Sequence, residues 1–140
     1  METTLPASSH SDHTPQGGTA HGRSDPHSDG LLKETRRLRK AFVLQLKPAA
    51  REEYQRRHQA IWPELLATLK AHGVHNYSIF QCGSSSQLFA YVELDDLDRW
   101  ELVGRTEVGQ RWRHYMSDLL VTNPDLSPVS ISLSEIFHLD

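Results

Sequence analysis

Within the run Glu52-Glu53-Tyr54-Gln55-Arg56-Arg57-His58-Gln59-Ala60-Ile61-Trp62-Pro63-Glu64-Leu65, a tyrosine and a histidine stand four residues apart, just ahead of a Trp-Pro pair. At 3.6 residues per turn, Tyr54 and His58 share one face of a helix, one turn apart. Pro63 lacks an N–H and crowds the preceding turn, so the helix carrying them is expected to end near His58 or Gln59. His58 then sits at a helix C-terminus beside a break, where its side chain can face a cleft. The negative end of the helix dipole there favours the protonated ring. With an unperturbed pKa of about 6.5, such a histidine is suited to donating and accepting protons near neutral pH.

Tyr77 and the tryptophans Trp62, Trp100 and Trp112 complete the chemical candidates. Aromatic faces pack on the apolar C–H side of a sugar ring, while tyrosine hydroxyls and arginine forks bond its hydroxyls. Each residue also has a plainer reading. His58 can cap the last carbonyls of its helix, Tyr54 can be a half-buried packing residue, Tyr77 an ordinary strand aromatic, and the tryptophans core anchors. His72, His75, His114 and His138 have no partner pattern and read as surface or structural. The chain has no Gly-rich phosphate loop, no Cys/His zinc pattern, no GxSxG elbow and no paired-carboxylate signature. Cys82 beside Gly83 reads as a bland, half-exposed thiol at a strand end. Spacing alone therefore reaches a small α+β domain with a candidate acid/base histidine.

The elements that must position these residues begin after a tail. Met1 to Gly30 contains no Phe, Trp, Tyr, Val or Ile but holds four of the nine histidines, four of the eight glycines and three of the seven prolines. Such a stretch cannot bury enough apolar surface to offset the entropy of ordering it. Residues 1–36 are expected to be a disordered tail and residues 37–140 a folded domain. The tail has no apolar run of a secretory signal and too few arginines for a transit peptide. Its His10, His13, His21 and His27 are irregularly spaced and unaccompanied by cysteine, so no metal site is expected there.

From Arg37 onward, 12 Lys/Arg balance 13 Asp/Glu. No basic stripe argues for nucleic acid or an anionic membrane, and no apolar run approaches the roughly 20 residues of a membrane helix. A single cysteine excludes an internal disulfide framework and fits a reducing cytoplasm.

Arg39 to Lys47 reads as a first strand, with Pro48 opening the helix of Tyr54 and His58. Pro63 opens a second helix that stops at Gly73. Val74 to Gln81, with His75, Tyr77 and Ile79 on one face, and Leu88 to Leu94 form a hairpin across Gly83-Ser84-Ser85-Ser86. Asp95 is the expected N-cap of a short helix through Trp100 and Val103. A further helical stretch carries Trp112 and Tyr115, and Ser130 to Leu139 is the expected last strand. The order β-α-β-β-α-β is the ferredoxin-like arrangement with an antiparallel sheet. Helices cover one sheet face. Tyr77, Phe80, Phe89 and Tyr91 suggest that the other is not simply wet, which a symmetric pairing of two copies would satisfy.

From about Leu38 to Asp140 the chain resembles the L-rhamnose mutarotases. The resemblance is carried by Arg39-Lys40-Ala41-Phe42-Val43, Glu53-Tyr54-Gln55-Arg56-Arg57-His58, Ile61-Trp62-Pro63-Glu64-Leu65 and His75-Asn76-Tyr77. It continues through Leu88-Phe89-Ala90, Val92-Glu93, Gln110-Arg111-Trp112, Asn123-Pro124-Asp125 and Ser127-Pro128-Val129. It implies a dimeric α/β barrel of ferredoxin-like subunits. The implied activity is cofactor-free interconversion of the α and β anomers of L-rhamnose. His58 would be the proton donor, and Tyr54, Tyr77, Trp112 and Arg113 would contact the sugar. Where the family's pattern has Trp-Trp, this chain has Trp112-Arg113. A non-catalytic sugar-binding module and a small monooxygenase on the same barrel are the competing functions.

Overall fold

The computed structural model describes residues 36–140. The tail expected over residues 1–36, with its four histidines, lies outside the described residues apart from Arg36. Four strands, β1 (Leu38–Gln45), β2 (Val74–Gln81), β3 (Gln87–Leu94) and β4 (Ser130–Leu133), form one antiparallel sheet in the order β2-β3-β1-β4. Helices α1 (Arg51–Gln59) and α2 (Pro63–Ala71) join β1 to β2, and α3 (Leu97–Val103) and α4 (Glu107–Met116) join β3 to β4. This is the expected ferredoxin-like α+β fold, with each helical connection divided in two.

Alternation along β3 decides which face meets the helices. Leu88, Ala90, Val92 and Leu94 are buried, and the first three pair in register with Leu44, Phe42 and Lys40 of β1. Val92 and Leu94 are completely enclosed. Together with Leu46, Tyr54, Val74, Met116, Leu119 and Leu120 they form the core, against which Leu69, Ile79, Trp100 and Trp112 pack. The opposite face carries the row Phe80, Phe89, Val43, Ile131 across all four strands.

Several boundaries differ from the sequence expectation for physical reasons. Pro48 does not open α1. It lies in a turn with Ala49, whose φ of +60° is incompatible with a helix, so α1 starts at Arg51. The side-chain cap of α3 is Asp96, which accepts the Arg99 N–H at 2.9 Å. Asp95, the expected cap, instead meets His75 Nε2 at 3.1 Å. β4 stops at Leu133 because its pairing with β1 ends at Ala41; residues 134–140 continue without regular structure. His75 does not share a face with Ile79. A bulge between His75 and Ser78 places His75 opposite Glu93, on the helix-free face, while Ile79 stays opposite Ala90.

Three further boundaries fall as expected. α1 ends at Gln59, Pro63 is the first residue of α2, and Gly73 follows α2 with φ +73°, where an added Cβ would lie 2.7 Å from Asp95 Oδ2. Thr106 caps α4 by accepting the Gly109 N–H at 3.1 Å. Among the described residues no helix is long and apolar enough to cross a membrane, and no cluster of His, Cys, Asp or Glu has the grouping of a metal site.

Candidate active site

Between the sheet and its helices lies a groove of roughly 940 Å³, lined by Tyr54, His58, Tyr77, Trp100, Trp112 and Arg113 among others. That size is within the range of small-molecule sites. Four of its walls come from different elements, so the fold is what brings the candidates together.

α1 has little apolar surface of its own, and only Tyr54 is buried. What seats this helix is Arg57. Its guanidinium donates to Asp118 Oδ1 and Oδ2 at 2.9 and 3.1 Å and to the Tyr115 carbonyl at 2.5 Å, and it reaches Glu53 Oε1 at 2.9 Å. It also lies 4.2 Å from the centre of the Tyr115 ring. The planar fork matches a carboxylate at two points and stacks on an aromatic face, which an ammonium could not do together. Hydrogen bonds from Arg56 and Arg57 hold the Glu53 carboxyl down at about 2. The next residue along the chain is His58.

His58 Nδ1 lies 3.0 Å from the Tyr54 carbonyl oxygen. A carbonyl only accepts, so Nδ1 carries the hydrogen and Nε2 keeps its lone pair in the neutral ring. The imidazole packs on the Tyr54 ring with centroids 4.3 Å apart and meets Trp112 edge-on at 5.5 Å. Burial pushes its pKa below the ordinary histidine value, against the smaller opposite effect of the bond to Tyr54. The preference for imidazolium expected at a helix terminus is opposed here by removal of the ring from water. The ring is neutral at neutral pH, with Nε2 as its free base.

Burial, reinforced by the neighbouring Tyr77 hydroxyl, raises the Tyr54 pKa far above the ordinary phenol value, and burial pushes Tyr77 up to about 12. Both stay protonated and can donate hydrogen bonds. Tyr77 lines the groove with 37% of its surface exposed, and its ring meets Trp100 edge-on at 5.5 Å.

Trp112 is held between His58 and Trp62, whose rings cross at 5.1 Å. Trp62 itself stacks on Tyr115 at 5.4 Å and does not line the groove; it supports Trp112 from behind. Arg113 does line it. Its guanidinium covers Gly104 so closely that an added Cβ there would fall 2.1 Å from Nη2. No carboxylate pairs with Arg113 among the described residues, so its donors are free for a ligand.

Sequence reasoning about chemistry passed over Lys40, Gln55, Asn123 and Ser127, which also line the groove. Asn123 and Ser127 close a loop through the Asn123 N–H to the Ser127 carbonyl at 2.8 Å. A turn signal at Asn123-Pro124-Asp125 was visible, but nothing in it showed that the loop would rim a cavity. His72 bonds the Thr68 carbonyl at 2.7 Å and His138 bonds Asp140 at 2.7 Å, both structural as expected. Cys82 is free and exposed.

Residues 39–139 match the family model described as L-rhamnose mutarotase. The chain is 56% identical over 102 residues to an L-rhamnose mutarotase of Shigella flexneri serotype 5b, covering 73% of this chain and 98% of that protein. It is 53% identical over the same length and shares to the L-rhamnose mutarotase of Tolumonas auensis. Among solved structures, an L-rhamnose mutarotase from Formosa agariphila superposes with a TM-score of 0.68 at 36% identity, covering 74% of this chain and 99% of the other. A Nitrosomonas europaea protein described as an antibiotic biosynthesis monooxygenase shares the fold alone, at a TM-score of 0.51 and 10% identity over 71% of this chain and 89% of the other. With most of its length matched by the family model and more than half of the matched positions identical to known members, this chain belongs to the L-rhamnose mutarotase family of enzymes.

Proposed function

We propose that this chain interconverts the α and β anomers of L-rhamnose, with His58 as the group that moves the proton and residues 37–140 as the catalytic domain. The observation that carries the reading is the fixed His58 ring, Nδ1 on the Tyr54 carbonyl and Nε2 free, in a groove walled by two protonated tyrosines and Trp112.

Ring opening removes a proton from the anomeric hydroxyl, breaks the C1–O5 bond to give the free aldehyde, and places a proton on O5. The two oxygens are bonded to the same carbon, so one nitrogen can serve both. Nε2 takes the O1 proton and, as imidazolium made more acidic by burial, delivers it to O5. Rotation about C1–C2 and reversal of these transfers close the ring on its other face. Tyr54, Tyr77 and Arg113 hold sugar hydroxyls, and Trp112 offers an apolar wall to the ring carbons. Proton transfer, reversible C1–O5 cleavage and bond rotation are the whole reaction, with no change of oxidation state, so these side chains are sufficient without a cofactor.

The unit we propose is a homodimer closed through the helix-free sheet face, working in the reducing cytoplasm that a lone free thiol fits. Phe80 and Ile131 are 61% and 62% exposed in this row of apolar side chains, and Leu133 lies beside them. Monomers rarely leave a contiguous apolar patch of that kind in water. Light scattering is expected to give twice the chain mass, reduced to one by Ile131→Asp.

Saturation-transfer NMR on L-rhamnose tests the activity. Wild type is expected to exchange the anomers well above the buffer rate. Exchange no faster than buffer defeats the assignment, and tight binding without exchange supports a sugar-binding module instead.

A further inference from the structure

The bulge in β2 was invisible to the alternation of its sequence, and Tyr77 lies within it. Between His75 opposite Glu93 and Ser78 opposite Tyr91, β2 advances three residues while β3 advances two. The extra residue lets Val74 and Ile79, five positions apart, both face the helices, at Leu94 and Ala90 respectively. In an unbroken strand they would point to opposite faces. A bulge also bends the strand and increases its local twist, which re-aims the side chains at that point.

Asn76 makes the bulge possible. Its φ is +44°, the left-handed region that asparagine tolerates better than most residues. Its Nδ2 donates to Glu93 Oε2 at 2.9 Å, so the side chain clamps the irregular strand to the regular one. The flank is pinned again where His75 meets Asp95, while the Asp95 N–H bonds the Gly73 carbonyl at 2.9 Å. The next side chain, Tyr77, is thereby directed against Trp100 and into the groove.

We propose that Asn76, through its left-handed backbone and its bond to Glu93, is a positioning residue that sets the Tyr77 ring for the sugar. Asn76 itself is exposed and lies outside the residues lining the groove, so it acts only through Tyr77. The inference rests on the proposed rhamnose mutarotation for its kinetic readout, but not for its structural one.

Four proteins are compared: wild type, Asn76→Ala, Tyr77→Phe and the double variant. Asn76→Ala is expected to lower kcat/KM for anomer exchange about tenfold, mainly through KM. In the Tyr77→Phe background the same change should alter it less than twofold, because there is no hydroxyl left to position. Asn76→Gly, which accepts positive φ freely, should restore part of the loss. Independently of activity, the Tyr77 ring resonances, assigned by their absence in Tyr77→Phe, should lose the ring-current shift from Trp100 in Asn76→Ala. Glu93→Gln, which weakens the clamp without touching the backbone, provides the same cycle if Asn76→Ala does not fold. Unchanged Tyr77 resonances, or losses that multiply independently in the double variant, overturn the proposal. A wild type without exchange activity defeats the mutarotase reading and leaves the resonance test standing.

Discussion

The imidazole of His58 is anchored to the carbonyl of the residue one turn before it, Tyr54, by a 3.0 Å hydrogen bond through Nδ1, and lies on that residue's ring with centroids 4.3 Å apart. One neighbour thus fixes the tautomer, the ring plane and the direction of the free nitrogen.

His58→Ala removes the proposed proton carrier while leaving the groove's aromatic walls in place. Catalysed anomer exchange should fall about 10²–10³-fold, within the range for general acid–base catalysis. Rhamnose binding should change far less. Saturation-transfer NMR for exchange and titration calorimetry for binding separate the two. A His58→Ala enzyme with full exchange activity would remove His58 from the mechanism.

The pH profile carries a second prediction. Burial lowers the folded-state pKa of His58, so the free base survives as pH falls below about 6.5. The acid limb of kcat/KM should therefore lie below 6.5 and disappear in His58→Ala. The same shift has a stability sign. The unfolded chain binds the proton first, so this group's contribution is complete above about 6.5 and is lost as pH falls through the lower folded-state value. An acid limb at or above 6.5 would contradict the burial argument.

Arg57→Ala should cost about 1–2 kcal/mol, because it removes the packing of a nearly buried side chain on Tyr115 and its links to Asp118 and the Tyr115 carbonyl, while the largely exposed Asp118 is rehydrated. Arg57→Lys should recover only part, since an ammonium cannot make the forked contact and the stacking on Tyr115 together. Thermal denaturation measures both. Glu53, held at about 2, adds an acid-side signature to wild type: its contribution is present above about 4.5 and is lost as pH falls towards 2. That signature should vanish when both Arg56 and Arg57 are replaced.

Gly104→Ala tests how Arg113 is seated. The glycine has ordinary helical φ, so alanine is not strained there, and backbone effects alone would leave stability level or slightly raised. The new methyl occupies the place of the Arg113 guanidinium, however, and must displace it. KM for rhamnose should rise severalfold and match that of Arg113→Ala, with the melting temperature no lower than wild type. A KM unchanged in both variants would show that Arg113 does not touch the sugar.

How much of this was legible in the sequence depended on the range of the interaction. The Tyr54–His58 pair, the stop at Gln59 and the restart at Pro63 are set within a few residues, and the structure places all three as read. The tautomer of His58 follows from the same turn. Its pKa does not, because burial is supplied by Trp112 from the far end of the chain. Counting alternate residues put His75 on the wrong face, since a bulge depends on what the partner strand needs at Leu94 and Ala90. Trp62 looked like a sugar platform, but Tyr115 claims its face. Asn123 and Ser127 had no chemical signal, and they reach the groove because residues 120 and 121 are stitched to the end of β1.

That stitching divides responsibilities within the enzyme. The Val121 N–H bonds the Gln45 carbonyl, and the Val129 N–H returns to the Val121 carbonyl, both at 2.9 Å. The loop between them is thus a closed tab, tied at its base, with a tip folded on itself where the Leu126 N–H bonds the Asn123 carbonyl at 2.9 Å and Asp125 Oδ1 accepts the Ser127 N–H at 3.0 Å. In the proposed mechanism the proton transfer belongs to α1, while Asn123, Leu126 and Ser127 of this tab line the groove. Under that division, substitutions in the tab are expected to change which sugar the groove accepts while leaving the hydrogen bonds of α1 as they are.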